Sequence, residues 1–112
     1  MKLPSYEVDH YELDNGEELH REYPDSFSIP NKEIRGSLKP GNIVKLIFRM
    51  EETPGSDEVS VERMWVQVTK THKFYYEGVL DNVPTGSECV NYGQTVNFKS
   101  CHVIDVYEDE NT

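Results

Sequence analysis

Glu62 to Asn82 reads ERMWVQVTKTHKFYYEGVLDN, and the alternation of its side chains decides the fold. Met64, Val66 and Val68 point one way along an extended chain, and Arg63, Trp65 and Gln67 the other. After a polar interval, Lys70 to Lys73, a second run begins. In it Phe74, Tyr76, Gly78 and Leu80 alternate with Tyr75, Glu77 and Val79. β-Branched and aromatic residues suit a pleated, half-buried surface. The stretch therefore predicts two strands that double back on each other, with Trp65, the single tryptophan, in the first.

Similar strands lie on either side. Pro40-Gly41 signals a turn, and Ile43 to Met50 follows with Val44, Leu46, Phe48 and Met50 on one face. Ile43 and Ile47 on the other face imply partial cover there too, as for a central strand. Glu51 to Glu58 (EETPGSDE) is a polar loop leading to a strand that starts near Val59, which makes a hairpin. Asp81 to Gln94 is a long connection, Thr95 to Phe98 a strand, and His102 to Val106 another short one. Gly41-Asn42-Ile43-Val44 and Gly93-Gln94-Thr95-Val96 echo each other weakly, as two strands entering one sheet in the same way.

Upstream, Asp14-Asn15-Gly16 is a hairpin signal, because both central residues of such a turn take positive φ. The helix formers of Glu17 to Glu22 compete with it. The expectation is a marginal hairpin or an extended arm. Pro30 to about Arg35 or Leu38 predicts one short helix with Ile34 and Leu38 on its apolar side. The fold class expected is mainly β (or α+β). It is a small, strongly bent antiparallel sheet or SH3-like partial barrel with one or two short helices. Residues 1–22 form an acidic arm or hairpin, 23–106 a single β-rich domain, and 107–112 an acidic tail expected to be disordered.

At 112 residues one core is sustainable without metal or disulfide. The net charge of −10 argues against direct nucleic-acid binding and against an anionic membrane surface. Its distribution is uneven. Residues 1–29 hold Glu7, Asp9, Glu12, Asp14, Glu17, Glu18, Glu22 and Asp25 against Lys2 and Arg21. Residues 101–112 hold Asp105, Glu108, Asp109 and Glu110 with no base. Acids and bases balance in 30–100, so the whole excess sits in the terminal segments. There is no long apolar run and no signal-like leader, so a cytoplasmic location is the default. Cys89 and Cys101 read as small, part-buried thiols more than as a disulfide.

Four segments carry a resemblance. They are Leu38-Lys39-Pro40-Gly41-Asn42-Ile43-Val44-Lys45-Leu46-Ile47-Phe48, Glu62-Arg63-Met64-Trp65-Val66, Gly78-Val79-Leu80-Asp81-Asn82-Val83-Pro84, and Tyr92-Gly93-Gln94-Thr95-Val96-Asn97-Phe98 with His102-Val103-Ile104-Asp105. Together, over about residues 23–106, they resemble the YegJ-like family of bacterial domains of unknown function. The family pattern often has Asp after the turn glycine, where this chain has Asn42 and Gln94. That departure weakens any metal or charge role at those positions. The resemblance implies fold boundaries and no activity.

The search for chemistry returns little. Cys101 and His102 are adjacent, but on a strand they would face opposite ways, so they make no catalytic dyad. Cys89, Cys101, His102 and His10, His20 or His72 lack zinc spacing. Glu51-Glu52 and Asp57-Glu58 read as a solvated turn, and Asp81-Asn82 as turn formers. No catalytic residue, metal or cofactor is expected. Arg63 and Trp65 share a face and are candidate binding anchors. The plainer alternative packs Trp65 under the terminal segments and pairs Arg63 with an acid.

Glu17, Glu18 and Glu22 are candidates for meeting a basic partner. The reading is a non-catalytic binding or inhibitory module acting on another protein with a basic surface, such as an immunity-type protein against a basic toxin or nuclease. The alternatives are a nucleic-acid-mimicking inhibitor of a DNA-binding protein, and an unrecognised small-ligand binder or enzyme. No pattern in the chain speaks to oligomeric state.

Overall fold

A computed structural model describes residues 2–108. Its elements, in chain order, are α1 (Tyr6–Asp9), β1 (Tyr11–Leu13), α2 (Gly16–Glu22), α3 (Lys32–Arg35), β2 (Ile43–Glu51), β3 (Val59–Thr71), β4 (Tyr76–Leu80), β5 (Thr95–Phe98), a 3-10 turn (Ser100–His102) and β6 (Asp105–Val106). The chain is mainly β, 34% strand and 17% helix, in a strongly curled antiparallel half-barrel. Strands run in the order β1-β2-β3-β4-β5, and β6 shares the outer edge of β2 with β1. Among the described residues the α-helices number three, all short, where one or two were expected.

Period-2 alternation places the core. Val44, Leu46, Phe48 and Met50 of β2 are wholly buried on the concave face, beside Met64, Val66 and Val68 of β3, Leu80 of β4, and Val96 and Phe98 of β5. The expected core face of β2 and β3 is the observed one. Ile47, on the convex face, is buried as well, while Ile43 is only half-buried. Curvature has a local cause in an irregularity of register between Val68 and Lys70, where β3 turns along β4. The hairpin tip is tighter than the sequence suggests. β3 runs on to Thr71 and β4 starts at Tyr76. The His72 N–H donates to the Tyr75 carbonyl at 2.9 Å, and the two rings stack at 4.2 Å. Phe74, expected in the strand, is turned out and exposed.

The internal echo is geometrically real. At Lys39–Asn42 the Asn42 N–H donates to the Lys39 carbonyl, and the Lys39 N–H donates to Asn42 Oδ1. At Asn91–Gln94 the Gln94 N–H donates to the Asn91 carbonyl, and the Asn91 N–H donates to Gln94 Oε1. Gly41 and Gly93 occupy the third position of these turns at φ 97° and 83°, a conformation that favours glycine. Each turn then joins a neighbouring strand by the same pair of bonds. Gly41 N–H reaches Val68 O and Val68 N–H reaches Asn42 O; Gly93 N–H reaches Leu80 O and Leu80 N–H reaches Gln94 O. The polar residue after each glycine is a turn cap. A carboxylate accepts that bond as well as an amide oxygen does, which explains why Asp, Asn and Gln can all stand there.

Three expectations fail. Asn15-Gly16 is not a hairpin. Asn15 sits at φ −85° and its side chain accepts the Glu18 N–H, so it caps α2, and the helix propensity of Glu17 to Glu22 wins. Residues 2–22 are not a free arm, since β1 pairs with the far end of β2. Of the predicted strand His102–Val106 only Asp105–Val106 is strand (β6); His102 closes the 3-10 turn, and residues 103–104 link the two. The short helix also differs: Asn31 caps it, Arg35 is buried, and Ile34, expected on its apolar side, is exposed. Residues 109–112 of the expected tail lie outside the described residues.

Candidate functional site

Arg63 and Trp65 are neighbours on the convex face of β3, as alternation requires. The main chain at Trp65 is fixed from its open side, where its N–H donates to Asn82 Oδ1 and its carbonyl accepts the Asp81 N–H. Across the β2–β3 ladder Trp65 faces Lys45 and Arg63 faces Ile47. Lys45 Nζ sits 4.4 Å from the centre of the Trp65 ring, and Tyr107 meets that ring edge-on at 5.9 Å. Trp65 is thus half-buried, wedged between a cation and the C-terminal segment. The Arg63 guanidinium lies 5.4 Å from the Phe27 ring centre. Among the described residues neither Lys45 nor Arg63 has a carboxylate within salt-bridge distance.

These groups border an open groove of about 620 Å³, lined among others by Phe27, Ile29, Ile34, Lys45, Arg63 and Asp105. One wall, residues 26–30, is anchored to α2 by the His20 imidazole, whose Nδ1 donates to the Phe27 carbonyl at 2.6 Å. Such a surface can take an apolar side chain between Phe27, Ile29 and Ile34 while two cations over aromatic rings hold an acidic or carbonyl group.

The three acidic candidates separate. Glu18 and Glu22 are exposed one turn apart on α2. Glu17 faces inward and pairs with Arg35, whose side chain is 6% exposed. Arg35 also donates to the carbonyls of Pro30 and Ser100, and its own carbonyl accepts the Tyr76 hydroxyl. Glu17 is therefore committed to holding α2, α3 and the 3-10 turn together. No sequence signal marks Arg35, because its burial depends on carbonyls far apart in the chain. Phe27 and Lys45 were also missed as groove residues. Lys45, a lone cation between Ile43 and Ile47, was the one visible hint.

Glu62 has a similar internal duty. Its carboxylate accepts the N–H groups of Thr85 and Gly86 and the Thr85 hydroxyl. Partial burial pushes its pKa up, but these bonds and one from Ser60 outweigh that and leave it below the usual carboxylate value. His102 is buried, with Nδ1 accepting the Lys99 N–H at 2.9 Å. Burial first, and Lys99 second, push its pKa down to about 4. Cys101 has its pKa raised by burial and then by Glu17, so the adjacent pair is a neutral imidazole and a protonated thiol. Cys89 and Cys101 are both free and part-buried. Among the described residues no three His, Cys, Asp or Glu side chains gather to hold a metal ion, and no helix is long and apolar enough to cross a membrane.

The sequence profile of a family described as "Uncharacterized protein conserved in bacteria (DUF2314)" matches residues 17–111. The chain belongs to this family. The match begins at Glu17, the partner of Arg35, and takes in both glycine turns and the Glu62 clamp. No curated protein and no solved structure matches the chain.

Proposed function

We propose that the domain is a non-catalytic binding or inhibitory module, of the YegJ-like kind within its family, that acts in the cytoplasm by docking onto another protein. An immunity-type role against a basic toxin or nuclease fits best. The observation that carries the reading is the pair Lys45 and Arg63, two cations with no carboxylate in salt-bridge distance among the described residues, each over an aromatic ring beside an apolar groove. Trp and Arg anchors of this kind dominate binding energy at protein interfaces. The helix bearing Glu18 and Glu22 borders the groove wall, so a partner's basic patch would be attracted to α2 while its apolar and acidic groups enter the groove. Surfaces of both signs fix register and raise association rates. Two cations on the anchor face count against a phosphate mimic.

The test is paired affinity capture with the wild-type chain and with Arg63→Ala and Trp65→Ala. A partner held by the wild-type chain is expected to lose about thirtyfold in affinity for either variant, the size of a hot-spot loss. Circular dichroism checks that both variants stay folded. A partner that binds both variants as tightly as the wild type overturns the assignment.

A further inference from the structure

Backbone groups along a strand point alternately to its two sides. In β3 the Trp65 N–H and carbonyl point away from β2, toward Asp81 and Asn82. On β2 the partners of Trp65 and Arg63, Lys45 and Ile47, likewise send their carbonyls outward, to the N–H groups of Ile104 and Asp14. Arg63, Val61 and Val59 must then direct their main-chain groups to the same side as Trp65. β4 pairs with β3 only from Val66 onward. The chain after Asn82 turns under the sheet, where Thr85 and Gly86 hold the Glu62 carboxylate. Among the described residues, the N–H and carbonyl groups of Val59, Val61 and Arg63 on this side find no partner.

The edge is only lightly guarded. Proteins blunt exposed strand edges with charged side chains, Lys above all, and with Pro or a bulge. Val59-Ser60-Val61-Glu62-Arg63 has neither Lys nor Pro; of its two charges, the Glu62 carboxylate is held by Thr85 and Gly86, which leaves Arg63, and Val59 and Val61 are 42% and 48% exposed.

We infer that a second copy of the chain pairs with this edge, in antiparallel register centred on Val61. The two-fold axis sets Val61 against the partner's Val61 and Arg63 against the partner's Val59, each pair exchanging two main-chain hydrogen bonds. No acid faces an acid on the convex side. The partner's Asp57, at the bend just before β3, comes beside the Val59 that faces Arg63, within reach of long side chains. That supplies a carboxylate for a guanidinium that has none within salt-bridge distance among the described residues. The sheet becomes continuous across the axis, and the groove, which lies across β2 toward β6, stays open. The main-chain pairing uses no groove residue except Arg63, which the two surfaces share.

The experiment is sedimentation equilibrium of the full chain over a concentration series at low and high salt. The expected result is a concentration-dependent rise from 13.0 kDa toward twice that mass. The dimer fraction increases with salt, because two chains of charge −10 repel each other until screened. Val61→Lys, which sets two ammonium groups face to face on the axis, is expected to be monomeric with an unchanged circular dichroism spectrum. Arg63→Glu is expected to weaken the dimer roughly tenfold, and adding Asp57→Arg to restore it. A wild-type chain that stays monomeric throughout, a Val61→Lys chain that still dimerises, or a charge swap that restores nothing overturns the inference.

Discussion

The carboxylate of Glu17 and the guanidinium of Arg35, eighteen residues apart, form an ion pair on which three chain segments converge. Arg35→Ala takes the donor away from Glu17 and from the carbonyls of Pro30 and Ser100; because the Glu17 side chain is 33% exposed, the expected cost in urea denaturation is about 2–3 kcal/mol. Glu17→Gln, which keeps a neutral acceptor, is expected to cost about 1–3 kcal/mol. Glu18→Gln and Glu22→Gln should stay within about 0.5 kcal/mol of wild type. Equal effects of the Glu17 and Glu18 substitutions would contradict the inward placement of Glu17.

The exposed acids bear on rate, not stability. With a captured partner, the double variant Glu18→Gln, Glu22→Gln is expected to associate more slowly, and the wild-type rate to fall steeply with salt. Stopped-flow or surface-based kinetics would read both. An association rate indifferent to salt and to both substitutions would leave α2 without a steering role.

Phe48 is wholly buried against Tyr11, ring centres 5.7 Å apart. Phe48→Ala removes that packing and opens a cavity beneath β1. The expected loss is about 3–5 kcal/mol, seen as a lower denaturation midpoint. An unchanged midpoint would place Phe48 outside the cooperative core.

His102 makes stability depend on pH. Its pKa falls from 6.5 in the unfolded chain to about 4 in the fold, although Asp14 and Glu17 pull weakly the other way. Between those values the unfolded chain binds a proton that the folded one refuses. The stabilisation from neutral His102 is therefore complete above pH 6.5. It declines as pH drops toward 4 and is gone below that, a change on the order of 3 kcal/mol. His102→Asn keeps an oxygen for the Lys99 N–H and removes the titration. Its denaturation midpoint should vary less than the wild type's between pH 4 and 6.5; identical pH profiles would refute the assignment.

The matched turns give a finer test. Asn42→Ala removes a cap and is expected to cost about 1 kcal/mol, while Asn42→Asp, which keeps the acceptor, should be close to neutral. Thermal denaturation of the two variants separates the cap from a role for the amide itself.

Strand placement was legible in the sequence because alternation is a local signal. Val44 to Met50, Met64 to Val68 and Thr95 to Phe98 each carry their buried face in their own spacing, and the glycine turns announce themselves by residue type. The bent antiparallel sheet followed from these. The N-terminal region was harder to read, because Asn15-Gly16 suits a hairpin turn and a helix cap alike; the helix propensity of Glu17 to Glu22 favours the cap, and the docking of Glu17 on Arg35 reinforces it. The candidate site divides the same way. Alternation alone put Arg63 and Trp65 on one face. Tertiary structure decided that Lys45 and Phe27 join them, that Glu17 is spent on an internal ion pair, and that Val59 to Arg63 form an open edge. Those outcomes depend on where distant backbone ends, and no local pattern of side chains records that.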